Sequence, residues 1–224
     1  MSRIELAKTI DSTILKPDSK YSDIENLCRD AAKYHFASVC VLPRYVGYAA
    51  NLLDGSGVAV CSVVGFPLGA NYISTKIEEA ESLIENRCTE LDMVINLPAL
   101  MNKEFAYVKE EIEALAELCH SNDAILKVII ETCLLSDYQK IEMCKIITEA
   151  GADYIKTSTG FSLAGADLKD IYLFREFIGE NVRIKASGGI RNLEQALTFV
   201  EAGASRIGTS SGVKIIEELP EEKA

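Results

Sequence analysis

The chain is poor in the residues and patterns that several function classes require. It has only two histidines, His35 and His120, and they fall in separate helical segments. Its seven cysteines, Cys28, Cys40, Cys61, Cys88, Cys119, Cys133 and Cys144, include no CxxC pair. Zinc-ligand spacing is therefore missing and no metal is expected; the odd number of thiols reads as small buried hydrophobes in a reducing compartment, not as a disulfide framework. No apolar run is long enough to cross a bilayer, and the start, Met1-Ser2-Arg3-Ile4-Glu5, lacks the apolar stretch of a secretory leader. The expectation is a soluble, cytoplasmic protein with no membrane partner.

Positive charge is also in deficit. There are 23 Lys and Arg against 34 Asp and Glu, a net charge of −11. Phosphate-backbone binding needs clustered Lys and Arg, so nucleic acid is not an expected partner. An anionic substrate would have to be held by local groups, because the overall field repels it. No linker rich in Pro, Ser or Gly interrupts the 224 residues, and 48% of them are hydrophobic, enough for one sizeable core. One domain over residues 1–224 is expected.

What the chain does have is alternation. Short β-branched or apolar runs predict strands at Ile10–Leu15, Ser38–Leu42, Val58–Val64, Glu90–Asn96, Ile125–Glu131, Tyr154–Ser158, Arg183–Ser187 and Ser205–Thr209. Helical periods lie between them. Phe105, Val108, Ile112, Leu115 and Cys119 share one face, opposite Lys109, Glu110, Glu113 and Glu117; Ile73, Ile77, Ala80 and Ile84 form another stripe. Ser136 with Gln139, and Asn192 with Gln195, have capping-box spacing. Eight strand–helix units leave about 28 residues each, near the minimum for a βαβ repeat. The pattern predicts an α/β fold, a single-domain (β/α)₈ TIM barrel. An open doubly wound sheet is the alternative, disfavoured in its dinucleotide-binding form because no GxGxxG follows the first strand.

In a closed barrel, alternate residues of each strand face the interior. Leu91, Met93 and Ile95 share one face, which puts Asp92 and Asn96 on the other. Ile184 and Ala186 likewise leave Arg183, Lys185 and Ser187 inward. Lys156 lies opposite Ile155, and Lys127 opposite Leu126 and Val128. Four consecutive strands thus aim Asp92, Lys127, Lys156 and Lys185 at the interior. A lysine at a strand end ordinarily reaches solvent. Three in successive strands beside an aspartate call for another explanation, since lysine is almost never buried without a partner. Burial and neighbouring ammonium groups both lower a lysine pKa, and a neutral lysine is a nucleophile near neutral pH.

The loops after the last three strands are Ser158-Thr159-Gly160, Ser187-Gly188-Gly189-Ile190-Arg191 and Gly208-Thr209-Ser210-Ser211-Gly212. Glycine lets backbone N–H groups approach an anion, hydroxyls add donors, and a following helix N-terminus adds a favourable dipole. Phosphate sites in such barrels are often built after strands 7 and 8. Arg191 either pairs with the phosphate or sits on the rim of its helix.

The segments Lys156-Thr157-Ser158-Thr159-Gly160-Phe161 and Lys185-Ala186-Ser187-Gly188-Gly189-Ile190-Arg191 resemble the deoxyribose-phosphate aldolase family. The likeness runs nearly end to end, through Asp11-Ser12-Thr13-Ile14-Leu15, Ser38 to Arg44, Gly65-Phe66-Pro67-Leu68-Gly69, Glu90 to Asn96 and Leu126 to Thr132. The resemblance implies a class I lyase that reversibly cleaves 2-deoxy-D-ribose 5-phosphate into acetaldehyde and D-glyceraldehyde 3-phosphate. It implies Lys156 as the Schiff-base lysine, Lys185 as the neighbour that tunes it, and Asp92 as the acid/base residue. Asp11, Cys40, Lys127 and Thr157 match substrate-binding positions, and Gly160, Gly188, Gly189, Gly208, Ser210 and Ser211 match the phosphate cradle. No cofactor is implied, and a homodimer is.

Two departures stand out. Phe161 occupies a position that is basic in some members, and the chain ends Leu219-Pro220-Glu221-Glu222-Lys223-Ala224 where some members end in a tyrosine. Other readings of the same residues are another Schiff-base phosphosugar aldolase, a phosphosugar isomerase, or a phosphosugar sensor without turnover.

Overall fold

The computed structural model describes residues 1–220. Its strands are β1 Ile10–Ile14, β2 Ser38–Val41, β3 Ala59–Val64, β4 Glu90–Val94, β5 Ile125–Ile129, β6 Tyr154–Lys156, β7 Arg183–Ser187 and β8 Arg206–Thr209. All neighbours pair in parallel, and β8 returns to β1, so the sheet closes in the order β1 to β8. The (β/α)₈ barrel expected from alternation is present, and the open sheet is excluded.

Every expected strand exists, and five of them stop one or two residues earlier than the hydrophobic runs suggested. Beyond β4 the cause is visible. Asn96 accepts a hydrogen bond from the Ala99 backbone at 3.0 Å and caps the next helix, so it leaves the sheet and does not face the interior as parity predicted. Arg183 is a second exception. At the start of β7 it is exposed, with its guanidinium 4.2 Å from the Tyr154 ring centroid.

The helices are α1 Arg3–Ala7, α2 Tyr21–Tyr34, α3 Val46–Leu52, α4 Ile73–Glu85, α5 Leu97–Met101, α6 Phe105–His120, α7 Asp137–Glu149, α8 Leu168–Phe177, α9 Leu193–Ala202 and α10 Gly212–Glu218. Helix α6 buries Val108, Ile112, Leu115 and Cys119 as its period required. The Ser136–Gln139 capping box is complete. At α9 only half of one forms: Asn192 accepts from the Gln195 backbone at 2.9 Å, while the Gln195 side chain accepts from the Arg191 backbone at 2.8 Å. The outward faces of the strands and the inward faces of these helices form one continuous apolar shell.

Within that shell, α4 departs from its expected stripe. Its fully buried line is Lys76, Ala80 and Leu83, with Ile73, Ile77 and Ile84 only partly covered. Lys76 is tolerated there because Glu111 of α6 meets it at 2.6 Å, both side chains having no exposed surface. Lys76 also donates to the Val94 carbonyl at 2.7 Å, and Glu111 accepts from the Asn96 backbone at 2.5 Å. Burial pulls the Lys76 ammonium down and pushes the Glu111 carboxyl up, with mutual attraction opposing both shifts. The pair therefore ties two outer helices to the end of β4, just past Asp92.

Breaking one half of such a pair leaves a buried group without a partner, at about 3–5 kcal/mol. Lys76→Met is expected to lower the unfolding free energy by that order, measured by urea denaturation. Adding Glu111→Leu is expected to recover part of the loss. A double variant as unstable as the single one would show that the pair's charges are not the source.

Candidate active site

Parity along each strand brings the inward residues of all eight strands to one axis, and their chemistry divides the interior in two. On the β1–β3 side, Leu15, Cys40, Cys61 and Val63 form a small apolar cluster with Leu42 and Phe66. On the other side the core is ionic. Asp11, Glu90, Asp92, Lys127, Lys156 and Lys185 are all buried, none more than 3% exposed. Arg206 joins them from β8.

Asp92 is the hub. Its Oδ1 accepts from Lys127 Nζ at 2.9 Å, and its Oδ2 accepts from Lys156 Nζ at 2.6 Å and from Lys185 Nζ at 2.7 Å. Lys127 also meets Glu90 at 2.7 Å, and Lys185 meets Asp11 at 2.5 Å. Arg206 pairs with Glu90 through both terminal nitrogens, at 3.0 and 2.8 Å, and with Asp11. Four charged residues read from strand parity are thus brought together. Glu90 and Arg206 were missed, although the same parity carries them: Glu90 shares a face with Asp92, and Arg206 shares one with Gly208.

These carboxylates change the expected electrostatics. Like-charge crowding alone predicted lysines driven toward neutrality. Burial does pull Lys127 and Lys185 down, but Asp92, Glu90 and Asp11 outweigh it and hold both well above their ordinary range. For Asp11 and Asp92 burial pushes upward, and the surrounding cations hold both below the usual carboxylate range. In this arrangement Lys127 and Lys185 favour the cation, and Asp11 and Asp92 the anion.

Above the hub, at the C-terminal ends of the strands, a cavity of about 710 Å³ opens to the Lys156 side chain. It is lined by Gly160, Gly188, Gly189, Arg191, Gly208 and Ser210 among the expected residues, with Lys16, Thr159 and Phe161 at its wall. The three small-residue loops do converge. Ser211 does not line this cavity but an adjoining hollow of about 740 Å³ between α2 and α10, which Ser210 also borders. Asp11, Cys40, Lys127 and Thr157 are buried and do not form part of its wall. Thr157 bolts two strands, its hydroxyl donating to the Ser187 carbonyl and accepting from the Ser187 backbone, both at 3.1 Å.

Loop contacts are close. A Cβ on Gly165 would sit 2.1 Å from the Gly188 carbonyl oxygen, and Gly188 itself has φ +90°. Only glycine at both positions lets the loops after β6 and β7 touch, joined by Ala166 donating to Gly188 at 3.1 Å. The helix after the β6 loop starts only at Leu168, so its dipole is not at Gly160 as expected. Phe161 is half exposed and meets Phe66 edge-on at 5.3 Å. Residues 221–224, on which the question of a tail residue rests, lie outside the described residues.

Metal chemistry was not expected from the ligand spacing. The fold nevertheless brings one ligand atom each of Cys40, Cys61 and Asp92 within 4.8 Å of one another, a trio that parity, not spacing, assembles. Both Asp92 oxygens are already engaged by the lysines.

Removing Arg206 tests the network. Arg206→Leu leaves Asp11 and Glu90 with fewer cations and is expected to cost about 3–5 kcal/mol at neutral pH. Asp11 has a depressed folded pKa, so its contribution is present above the unfolded value of about 3.9 and is lost as pH falls through the folded one. The variant loses part of that contribution. Its deficit against the parent should therefore be widest at neutral pH and narrow below about pH 4. Urea unfolding across that range reads the gap, and a gap independent of pH would separate Arg206 from Asp11.

The family profile described as "DeoC/LacD family aldolase" matches residues 5–218. A deoxyribose-phosphate aldolase of Caldicellulosiruptor saccharolyticus is 53% identical over 219 residues, covering 97% of this chain and 100% of that one. Another, from Caldanaerobacter subterraneus, is 50% identical over 218 residues, covering 97% and 94%. The structure described as the "unique tetrameric structure of deoxyribose phosphate aldolase from Aeropyrum pernix" superposes with a TM-score of 0.91 at 37% identity, covering 97% of this chain and 92% of that one. With a matching barrel, a matching profile over nearly all its length and relatives at half identity, the chain belongs to the DeoC/LacD aldolase family.

Proposed function

We propose that the chain is a class I lyase that reversibly cleaves 2-deoxy-D-ribose 5-phosphate into acetaldehyde and D-glyceraldehyde 3-phosphate, through a Schiff base on Lys156. The observation that carries this reading is the sharing of Asp92 Oδ2 between Lys156 and Lys185 beneath a cavity edged by glycine and serine loops. Asp11, Glu90 and Asp92 are balanced by Lys127, Lys185 and Arg206. Lys156 is then the amine hydrogen-bonded to no carboxylate beyond the one it shares.

The chemistry follows from the bonds that must break. The Lys156 amine adds to the C1 aldehyde carbon, and the carbinolamine loses water to give an iminium. The C3 hydroxyl then gives up its proton, the C2–C3 bond breaks, and the electron pair moves into the iminium to form an enamine. Glyceraldehyde 3-phosphate leaves. Protonation of the enamine carbon and addition of water release acetaldehyde and the free amine. Each proton transfer needs a group within reach of Lys156, and Asp92 and Lys185 are those groups. Lys185, held cationic, supplies positive charge beside the reacting nitrogen. The iminium is itself the electron sink, so the chemistry calls for no metal or organic cofactor.

For the phosphate, the proposed cradle is Gly160, Gly188, Gly189, Gly208 and Ser210, with Arg191 on the wall. With Phe161 exposed at the mouth, backbone N–H groups and hydroxyls carry more of the anion. We take residues 1–224 as one catalytic domain in the cytoplasm; no helix among the described residues is long and apolar enough to cross a membrane. A homodimer is the proposed assembly, and the tetramer described for the Aeropyrum pernix relative is the alternative that sedimentation would distinguish.

Borohydride reduction in the presence of acetaldehyde is expected to attach a two-carbon unit to the peptide containing Lys156. Labelling confined to another lysine would sink the assignment, and no adduct at all would favour an isomerase or a sensor. Lys185→Leu is expected to retain the fold by circular dichroism while kcat falls by ~10²–10⁴-fold. Full activity in that variant would remove Lys185 from the chemistry.

A further inference from the structure

We infer that Glu131 is a positioning residue that braces the loop after β6 and thereby sets the preference for a phosphorylated sugar. The inference rests on the aldolase reading above. Glu131 follows β5 at the mouth end of the barrel and is 2% exposed. Its backbone is left-handed, with φ 51° and ψ 65°, an uncommon conformation for a residue other than glycine. Both carboxyl oxygens accept from the Thr159 backbone N–H at 3.3 Å, and Oε2 also accepts from the Thr159 hydroxyl.

That hydroxyl has a second task. It accepts from the Phe161 backbone N–H at 3.1 Å, closing a turn around Gly160, whose φ of +84° lies in the region glycine favours. Thr159, Gly160 and Phe161 all line the cavity. The chain of contacts therefore runs from a buried carboxyl, through one hydroxyl, to the turn that presents Gly160. On its other side the β6 loop is tied to β7 by Ser187 Oγ donating to the Ser158 carbonyl at 2.6 Å. The first half of this loop is held by β7; in the second half the backbone of Thr159 is held by Glu131, while Phe66 packs on the Phe161 ring and Cys133 Sγ donates to Ser162 Oγ at 3.4 Å.

Glu131 hydrogen-bonds to no cation of the Asp92 hub, and burial pushes its carboxyl above the ordinary range against the Thr159 hydrogen bonds and, last in order, the Lys156 charge. Such a group is costly to bury and contributes no ion pair within hydrogen-bonding distance. Its placement is accounted for by the loop. A brace that orients Gly160 and Phe161 acts on whatever occupies the outer part of the cavity, away from the Lys156 carbon chemistry. In the aldolase reading that is the phosphate.

Steady-state cleavage of 2-deoxyribose 5-phosphate and of unphosphorylated 2-deoxyribose separates the two halves of the site. Glu131→Ala is expected to raise KM for the phosphorylated sugar about tenfold or more while kcat stays within about threefold, and to leave KM for 2-deoxyribose nearly unchanged. Thr159→Val, which keeps the shape and removes the hydroxyl, is expected to move the same ratio and remains available if Glu131→Ala fails to fold. The double variant should be no worse than the weaker single one, because both cut the same chain of contacts. Glu131→Gln keeps an acceptor for Thr159 and is expected to restore most of the discrimination.

Equal losses on both sugars, or an unchanged ratio in Glu131→Ala and Thr159→Val, would overturn the inference. A Glu131→Gln variant as impaired as Glu131→Ala would overturn the bracing role as well. Failure of the unaltered chain to cleave 2-deoxyribose 5-phosphate would instead sink the aldolase reading, and this inference with it. Borohydride trapping of acetaldehyde on Lys156 in Glu131→Ala is the control that the carbon chemistry is intact.

Discussion

The interior of this barrel depends on Asp92. Three ammonium groups converge on its two oxygens within 2.6 to 2.9 Å, in a place with no exposed surface. An isolated ion there costs several kcal/mol to desolvate, so each member of the cluster offsets that cost for its neighbours. Asp92 alone cannot hold three cations, and this is why Asp11 and Glu90 stand behind Lys185 and Lys127, and why Arg206 in turn spans those two carboxylates. A single buried aspartate thus propagates into demands on β1, β4, β5, β6, β7 and β8. Barrel interiors are usually filled by branched apolar side chains. Here only the β1–β3 side is.

The network also divides the barrel along its axis. Toward the N-terminal ends of the strands, Arg206, Glu90 and Tyr154 close the interior, with the Arg206 guanidinium 5.7 Å from the Tyr154 ring centroid. Toward the C-terminal ends, Lys156 is the last residue of its strand and opens into the cavity. Fixed charges below and glycine loops above give Lys156 surroundings that are rigid on one side and shaped by backbone on the other. The loops themselves are held by small polar groups: Thr157 and Ser187 between β6 and β7, Glu131 and Thr159 between β5 and β6. The Lys76–Glu111 pair does similar work from outside, anchoring the end of β4 beyond Asp92.

Much of this was legible beforehand. Parity and spacing placed Asp92, Lys127, Lys156 and Lys185 on neighbouring strands facing inward, and their mutual contacts follow from that alone. The glycine loops were legible as a group because turn residues recur at the ends of three successive strands. Glu90 and Arg206 carried the same parity signal but sit near strand starts, where a charged residue ordinarily reaches solvent. Lys76 and Glu111 could not be read at all. On a helix, a buried ion pair between two elements has no period of its own, and Lys76 displaced the isoleucine stripe that the sequence of α4 suggested. Asn96 was assigned inward because alternation says nothing about where a strand ends; a capping hydrogen bond decided that.

By itself, the sequence determined the architecture and the identity of Lys156's neighbours, because strand parity and the recurrence of strand–helix units are local, periodic properties. Only the tertiary structure decided the electrostatics. Lysines counted as neighbours predict mutual depression of their pKa values, and the opposite direction for Lys127 and Lys185 depends on carboxylates brought in from strands far away in the chain. It also decided which expected residues reach the cavity and which do not, since depth along a barrel axis is set by the stagger of the closed sheet. Linear spacing carries no measure of that depth, which is why the residues that line the cavity could not be told in the sequence from Asp11 and Lys127, which do not.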